Sequence, residues 1–301
     1  MEELENVCAR LCLLTRACWT PELPSPLSRA EARRLLQTRA LQSLVLREMP
    51  QEELDLPERA KALLSRVLSV ARLAEAYERR GYRAILPESG GWPSALNILG
   101  SKAPLFLFAR GNDALLEGRR VAVAGSRDIL PQTDDEARAL GCALAEAGIV
   151  LVTGGARGVD RAAQRGALEA GGGVILVPAM PAQDLLRDEW TRRALEDGRL
   201  LMLCDTLPDD PFSAQKALSR NHTIYALGDA AVVVASRVGI GGSWRGATDC
   251  LSGAWSPVYV PVTPGADRAG NAALLGRGAL PLDMDRPVVP QLRLIRELRL
   301  F

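Results

Sequence analysis

The sequence predicts an α/β fold in which a doubly wound, mostly parallel sheet follows a small helical domain. Residues 119–160 alternate an apolar β-rich run, a glycine turn, a helical segment, a second apolar run and a second glycine turn, the order typical of a parallel sheet. Short apolar runs then continue to alternate with helical segments as far as residue 260. Residues 1–80 instead carry apolar residues at helical spacing. We therefore place a helical N-terminal domain at residues 1–85 and the α/β domain at residues 86–301.

Helical signals define the N-terminal domain. Ser28 and Glu31 form a capping-box pattern, and Pro57 opens a further helical segment. Residues 2–19 and 73–80 also have helical periodicity. No cluster of chemically active residues is evident in this region, so we interpret it as a packing or accessory domain.

Strands and crossover helices are predicted in turn through the α/β domain. Thr133 to Glu136 is a capping-box pattern, which places the start of the first crossover helix near Asp134. The second crossover helix starts near Asp160, and a later helix covers residues 213–227. The predicted strands cover residues 83–86, 104–108, 121–124, 149–152, 174–177, 200–203, 230–235 and 258–260.

Composition excludes several classes of protein. A net charge of +1 over 301 residues excludes a polybasic coat protein, so any nucleic-acid site must be local. The six cysteines form no C-x-x-C pair and His222 is the single histidine, so we expect no metal site and no cofactor. No apolar run approaches the ~18 residues of a membrane helix, and no signal pattern begins the chain. We expect a cytoplasmic protein without membrane insertion.

Loops that follow predicted strands on one edge of the sheet form a candidate anion site. Glycine lets backbone N–H groups approach an anion, and hydroxyl and arginine side chains add donors. Arg127 is favoured as a phosphate ligand, whereas Arg157 is equally compatible with an ion pair to Asp160. Neither a dinucleotide fingerprint nor a P-loop is present, which disfavours a dehydrogenase or a nucleoside triphosphatase. The loops are residues 125–127, 153–158, 178–181 and 238–243.

A helix beyond the fourth strand of the core adds basic residues. Lys216 and Arg220 are four residues apart and Asn221 is adjacent, so the three can share one face, either as ligands or as a solvated surface. His222 is interpreted as a surface or capping residue. Asp128, Asp160 and Asp229 form no convincing catalytic set, so we do not expect an enzyme.

Ordered blocks of the sequence resemble the DNA-processing protein A (DprA/Smf) family. The blocks are V-A-V-A-G-S-R, T-G-G-A-R-G-V-D-R-A-A-Q, R-N-H-T-I-Y-A-L-G-D-A-A-V-V-V and G-N-A-A-L-L-G-R-G-A, preceded by G-W-P-S-A-L and A-P-L-F-L-F-A-R-G-N. The resemblance spans residues 73–280. It implies a Rossmann-like sheet, a SAM-like helical domain, and a non-enzymatic, homodimeric binder of single-stranded DNA. Such proteins act in natural transformation and help load the RecA recombinase.

The resemblance also suggests site residues. Gly125, Ser126, Arg127, Arg220 and Asn221 match the family's motifs, and Lys216 is added because of its charge and helix position. The predicted DNA- or phosphate-binding residues are Gly125, Ser126, Arg127, Gly154, Gly155, Arg157, Lys216, Arg220, Asn221, Gly242 and Ser243.

Departures from the family pattern are also present. Gln164 stands where the family usually has histidine, His222 stands where it has arginine, and Thr248 is displaced from its usual spacing. The winged-helix domain that many members append is not expected in this sequence.

A second class of function remains open. Related folds include nucleotide sensors and the LOG phosphoribohydrolases, whose P-G-G-x-G-T-x-x-E motif marks catalysis. The corresponding loop here, V-G-I-G-G-S-W-R-G-A-T, has no glutamate at that spacing. For DNA binding, stacking on bases would fall to Phe212, Tyr225 or Trp244.

Overall fold

The computed structural model describes residues 2–38 and 56–295, and it divides into two compact units. The first unit comprises Met1–Trp92, Pro104–Ala109 and Asp205–Leu207, and the second comprises Pro93–Ala103, Arg110–Cys204 and Pro208–Phe301. The domain limits inferred from the sequence stay a prediction. Residues 1, 39–55 and 296–301 of the two predicted domains lie outside the described residues.

The first unit is mainly helical. Its helices pack around buried side chains that include Leu11, Leu63 and Tyr77. The predicted capping box before α2 is confirmed, because the Ser28 hydroxyl accepts from the Glu31 N–H and the Glu31 carboxylate accepts from the Ser28 N–H. The elements are α1 (Glu2–Leu14), α2 (Arg29–Leu36), α3 (Glu58–Leu64), α4 (Val67–Arg79) and β1 (Arg83–Ile85), the last paired antiparallel with the start of β2 (Leu107–Gly111).

The sheet of the second unit is parallel and doubly wound, as predicted. Its strand order is β6-β5-β4-β3-β7-β8-β9, and every neighbouring pair is parallel. The short strand β9 was missed in the sequence because it has three residues with a proline at its centre. The strands are β3 (Arg120–Ala124), β4 (Val150–Thr153), β5 (Val174–Leu176), β6 (Leu200–Cys204), β7 (Ala230–Val233), β8 (Val258–Pro261) and β9 (Leu280–Leu282).

The strand order creates a switch point between β3 and β7. From β3 the chain winds out through β4 and β5 to β6, and it then returns to β7 on the other side of β3. The loops that leave β3 and β7 therefore diverge, and a crevice opens between them at the carboxyl edge of the sheet. Ligands of doubly wound sheets bind at this place.

Helices connect these strands. They are α5 (Pro131–Glu146), α6 (Val159–Glu169), α7 (Ala182–Leu185), α8 (Glu189–Glu196), α9 (Ala214–Leu227), α10 (Gly241–Gly253) and α11 (Ala269–Leu275). Short 3₁₀ segments cover Ser94–Lys102, Asp113–Leu116, Ala266–Arg268 and Val289–Gln291. None of the helices in the described ranges is long and apolar enough to cross a bilayer.

The predicted start of α5 is wrong. The helix begins at Pro131, a favoured first residue, and the N–H of Leu130 donates to Oδ2 of Asp267 at 3.0 Å. Thr133 is buried inside the first turn, where its hydroxyl accepts from Nη2 of Arg268 at 3.2 Å. The carboxylate of Asp267, which is distant in sequence, therefore accepts a hydrogen bond at the start of the helix in place of the local capping box.

Candidate functional site

A cavity of about 430 Å³ opens at the switch point. It is lined by residues 124–128 after β3, by Ala156 and Asp160 after β4, by residues between 212 and 221 around α9, and by residues between 237 and 243 after β7. The structure thus gathers at one cavity seven of the residues predicted from the sequence: Gly125, Ser126, Arg127, Arg220, Asn221, Gly242 and Ser243.

The loop after β3 is fixed by its neighbours. The N–H of Ser126 donates to the carbonyl of Ala235 at 2.9 Å, and the hydroxyl of Ser243 donates to the carbonyl of Gly125 at 2.5 Å. A Cβ on Gly125 would lie 2.3 Å from Cγ2 of Val159, so only glycine allows this approach. These contacts hold the loop rigidly and leave the Arg127 side chain exposed at the cavity.

Arg127 lies against an exposed aromatic ring. Its guanidinium carbon is 4.8 Å from the ring centroid of Phe212, and 46% of Phe212 is exposed. The other two aromatic candidates, Tyr225 and Trp244, are buried and have no exposed ring face to offer a ligand. The cavity mouth therefore combines a positive charge with an aromatic face.

Behind the cavity mouth lies a buried ion pair. Nη1 of Arg220 is 3.8 Å from Oδ2 of Asp160, and both residues are more than nine-tenths buried. The Asp160 carboxylate also accepts from the N–H of Ala156 at 3.4 Å. Burial raises the pKa of Asp160 above its ordinary value of 3.8, and Arg220 only partly opposes this effect. The loop after β4 thus surrounds a carboxylate from α6, the helix that follows it.

The start of α10 completes the wall of the cavity. Gly241, Gly242 and Ser243 lie in its first turn, and the side-chain N–H of Asn221 donates to the carbonyl of Gly242 at 3.0 Å. The first turn of a helix has backbone N–H groups without intrahelical partners and a positive partial charge. Asn221 therefore orients a helix end suited to an anion.

The remaining predicted ligands lie elsewhere. Gly154 and Gly155 line neither this cavity nor a second cavity that adjoins it. Nζ of Lys216 pairs with Oδ2 of Asp210 at 2.8 Å. Arg157 pairs with Asp128 at 2.5 Å, instead of with Asp160 as the alternative interpretation proposed. The role of these residues in binding stays a prediction.

His222 is held by contacts with neighbouring side chains. Its Nε2 is 2.8 Å from Oδ2 of Asp249, and its ring packs edge-on against Trp255 with centroids 5.0 Å apart. Gln164, the other departure from the family pattern, is buried and donates to the hydroxyl of Thr191 at 3.1 Å. Neither side chain lines the cavity.

Arg237 was missed by sequence reasoning. It is exposed in the turn after β7 and lines the cavity across from the loop after β3. A signal for it was present, because an arginine follows the end of β7 as Arg127 follows the end of β3. Both strand ends meet at the switch point, so both arginines face the same crevice.

Comparison with known proteins identifies the family. The profile of the DNA recombination-mediator protein A family matches residues 83–289. The chain belongs to this family. The resemblance inferred from the sequence blocks is therefore confirmed, and the candidate cavity lies within the matched residues of this recombination-mediator family.

Relatives of the family agree with the fold. A DNA processing protein DprA of Mycobacterium tuberculosis is 32% identical over 224 residues, which cover 68% of this chain and 56% of that protein. The Helicobacter pylori DNA processing protein A, whose structure concerns single-stranded DNA binding, has 25% identity and a TM-score of 0.58 over 68% of this chain and 92% of its own. The Streptococcus pneumoniae protein has 20% identity and a TM-score of 0.63, covering 89% of this chain and 99% of its own. The chain spans about half the length of the curated relatives it matches.

Proposed function

We propose that this chain binds single-stranded DNA in the cavity between the β3 and β7 loops, and that it does so without catalysing a reaction. The observation that carries the proposal is the Arg127–Phe212 pair at the cavity mouth. Arg127 forms an ion pair with no carboxylate in the described part of the chain, so its charge is available to a phosphate. The Phe212 face beside it suits an unpaired base.

Several features favour a single strand over a duplex. A base can stack on Phe212 only when it is unpaired, because a duplex buries both faces of each base pair. The cavity also places the Asn221 amide and the first turn of α10 around one small volume, where a single phosphate or nucleotide unit fits. The H. pylori relative binds single-stranded DNA, which supports the same ligand class here.

Family membership supports a wider role. We extend the proposal to DNA uptake during natural transformation and to recombination, with RecA as a partner and a homodimer in the cytoplasm as the working form. A dimer would also join two cavities and raise the affinity of a protein whose net charge is only +1.

The proposal is tested by fluorescence anisotropy of a labelled oligo-dT strand and its duplex at low and physiological salt. We expect preference for the single strand and an affinity that falls as salt rises, because phosphate neutralisation releases counterions. A mononucleotide competition series tests the alternative. If the protein binds no strand but binds or cleaves the mononucleotide, it is a nucleotide sensor or a LOG-type enzyme and the proposal is wrong.

Replacing Arg127 with alanine is expected to weaken single-strand binding about tenfold or more, the effect of a lost hydrogen bond to a charged group. The negative slope of log affinity against log salt should become shallower by about 0.7, because one phosphate contact is lost. Arg192→Ala is the matched control, because Arg192 is a half-exposed arginine of α8 paired with Glu196 and lies outside the cavity. Unchanged affinity and slope in Arg127→Ala would remove this residue from the site.

Asp160 is expected to make binding depend on pH. Its ionised carboxylate lines the cavity and would repel a phosphate, and its pKa is raised by burial. As the pH falls toward that raised pKa the carboxylate gains a proton, so affinity should rise.

Asp160→Asn tests this dependence. It should bind more tightly than the wild type near neutral pH, because the carboxylate that repels a phosphate is gone, and it should have a flatter pH profile. Asp197→Asn, at an exposed carboxylate paired with Arg199, is the control and should keep the wild-type profile. Retention of the full pH dependence in Asp160→Asn would assign it to another group.

A further inference from the structure

A second cavity adjoins the first. It has a volume of about 620 Å³ and lies between the loop after β3, the loop before α6 and the segment before α11. Arg127, Asp128 and Arg237 line both cavities, so the two cavities adjoin at these side chains. Arg157, which does not line the first cavity, lines the second. A ligand longer than one nucleotide unit can therefore extend from one into the other.

Three arginines lie along this path, and the carboxylates of Asp128, Asp134 and Asp267 oppose them in the second cavity. Arg127, Arg157 and Arg237 are all exposed and come from three different loops of the same sheet edge. Within residues 2–38 and 56–295, Arg237 forms an ion pair with no carboxylate, and Arg157 pairs only with Asp128. That ion pair is 2.5 Å long, but its side chains are 75% and 67% exposed. Exposed ion pairs contribute little to stability, so a phosphate can replace Asp128 at little cost.

We infer that the second cavity is a second phosphate subsite for the same DNA strand, in which Arg237 and Arg157 bind a phosphate next to the one held at Arg127. This inference rests on the proposed single-strand binding. Asp128, Asp134 and Asp267 act against the subsite, because their carboxylates line the second cavity and repel a phosphate, and Asp128 also holds Arg157 in the free protein. The strand thus runs from Phe212 past Arg127 toward Arg157.

The test compares two probes on the full chain. One is a labelled oligo-dT of about 20 nucleotides, and the other is a short competitor of one nucleotide, dTMP, that fills only the first cavity. We expect Arg157→Ala and Arg237→Ala each to weaken binding of the long strand about three- to tenfold. In each variant the negative slope of log affinity against log salt should become shallower by about 0.7. Arg157→Ala should leave binding of the short competitor unchanged, because Arg157 lines only the second cavity, whereas Arg237 lines both cavities and its replacement should weaken both probes. Asp128→Asn should strengthen binding of the long strand severalfold.

Controls separate this inference from the proposed function. Arg192→Ala should bind both probes like the wild type, and Arg127→Ala should weaken both. If Arg127→Ala weakens both probes while Arg157→Ala and Arg237→Ala match Arg192→Ala on the long strand, the second subsite is wrong and single-strand binding stands. If the wild type binds neither probe, the proposed function fails and the subsite fails with it.

Discussion

Arg220→Ala is expected to abolish measurable single-strand binding and to lower the free energy of unfolding by about 3–5 kcal/mol. Arg220 is 4% exposed and its guanidinium is the positive partner of the buried Asp160 carboxylate. Its removal leaves that carboxylate buried without a countercharge, which is the costly way to break a buried ion pair. It also removes a positive charge from the cavity wall. Thermal melting and anisotropy measure the two effects.

Companion variants separate charge from geometry at this position. Arg220→Lys keeps the positive charge beside Asp160 but loses the planar fork, so it should recover most of the stability and only part of the affinity. Arg220→Ala combined with Asp160→Asn should be more stable than Arg220→Ala alone, because the unpaired charge is gone. An Arg220→Ala protein that melts and binds like the wild type would show that the ion pair contributes nothing.

Much of the cavity was predictable from the sequence because it depends on strand ends. Parallel strands have their carboxyl ends at one edge, so the residues that follow β3 and β7 were expected at the same edge of the sheet. This rule placed Gly125, Arg127, Gly242 and Ser243 at that edge, and the strand order, with β7 beside β3, brings them to one cavity. Arg220 was placed by helix position and family motif, and it does line the cavity.

Other features depended on contacts that the sequence pattern does not contain. A spacing of four residues puts Lys216 and Arg220 on one helix face, but Arg220 is buried against Asp160 whereas Lys216, one turn nearer the helix start, pairs with Asp210. The loop after β4 lies one strand away from the switch point. Gly154 and Gly155 therefore approach the buried side chains of Arg220 and Leu185 and line neither cavity.

Gly154 lies against the buried Arg220 side chain, so replacing it is expected to have a large effect. A Cβ at this position would lie 1.2 Å from Nη1 of Arg220 and 2.2 Å from its Cζ. The Arg220 side chain is buried, so it cannot move aside without leaving Asp160. Gly154→Ala should therefore lower the free energy of unfolding by about 1–3 kcal/mol, as overpacking does, and weaken single-strand binding although residue 154 lines neither cavity. Gly118→Ala is the control, since a Cβ there would only touch Val150 at 3.5 Å.

A double-mutant cycle distinguishes displacement of Arg220 from general damage to the loop. In an Arg220→Ala background the atoms that collide with the new methyl group are absent, so Gly154→Ala should cost almost nothing further in melting temperature. The coupling between the two substitutions should then equal nearly the whole effect of Gly154→Ala. Additive effects would instead mean that the alanine strains the backbone of the loop itself. In that case Gly154 would be required by the turn, and its proximity to the cation behind the cavity would have no consequence for DNA binding.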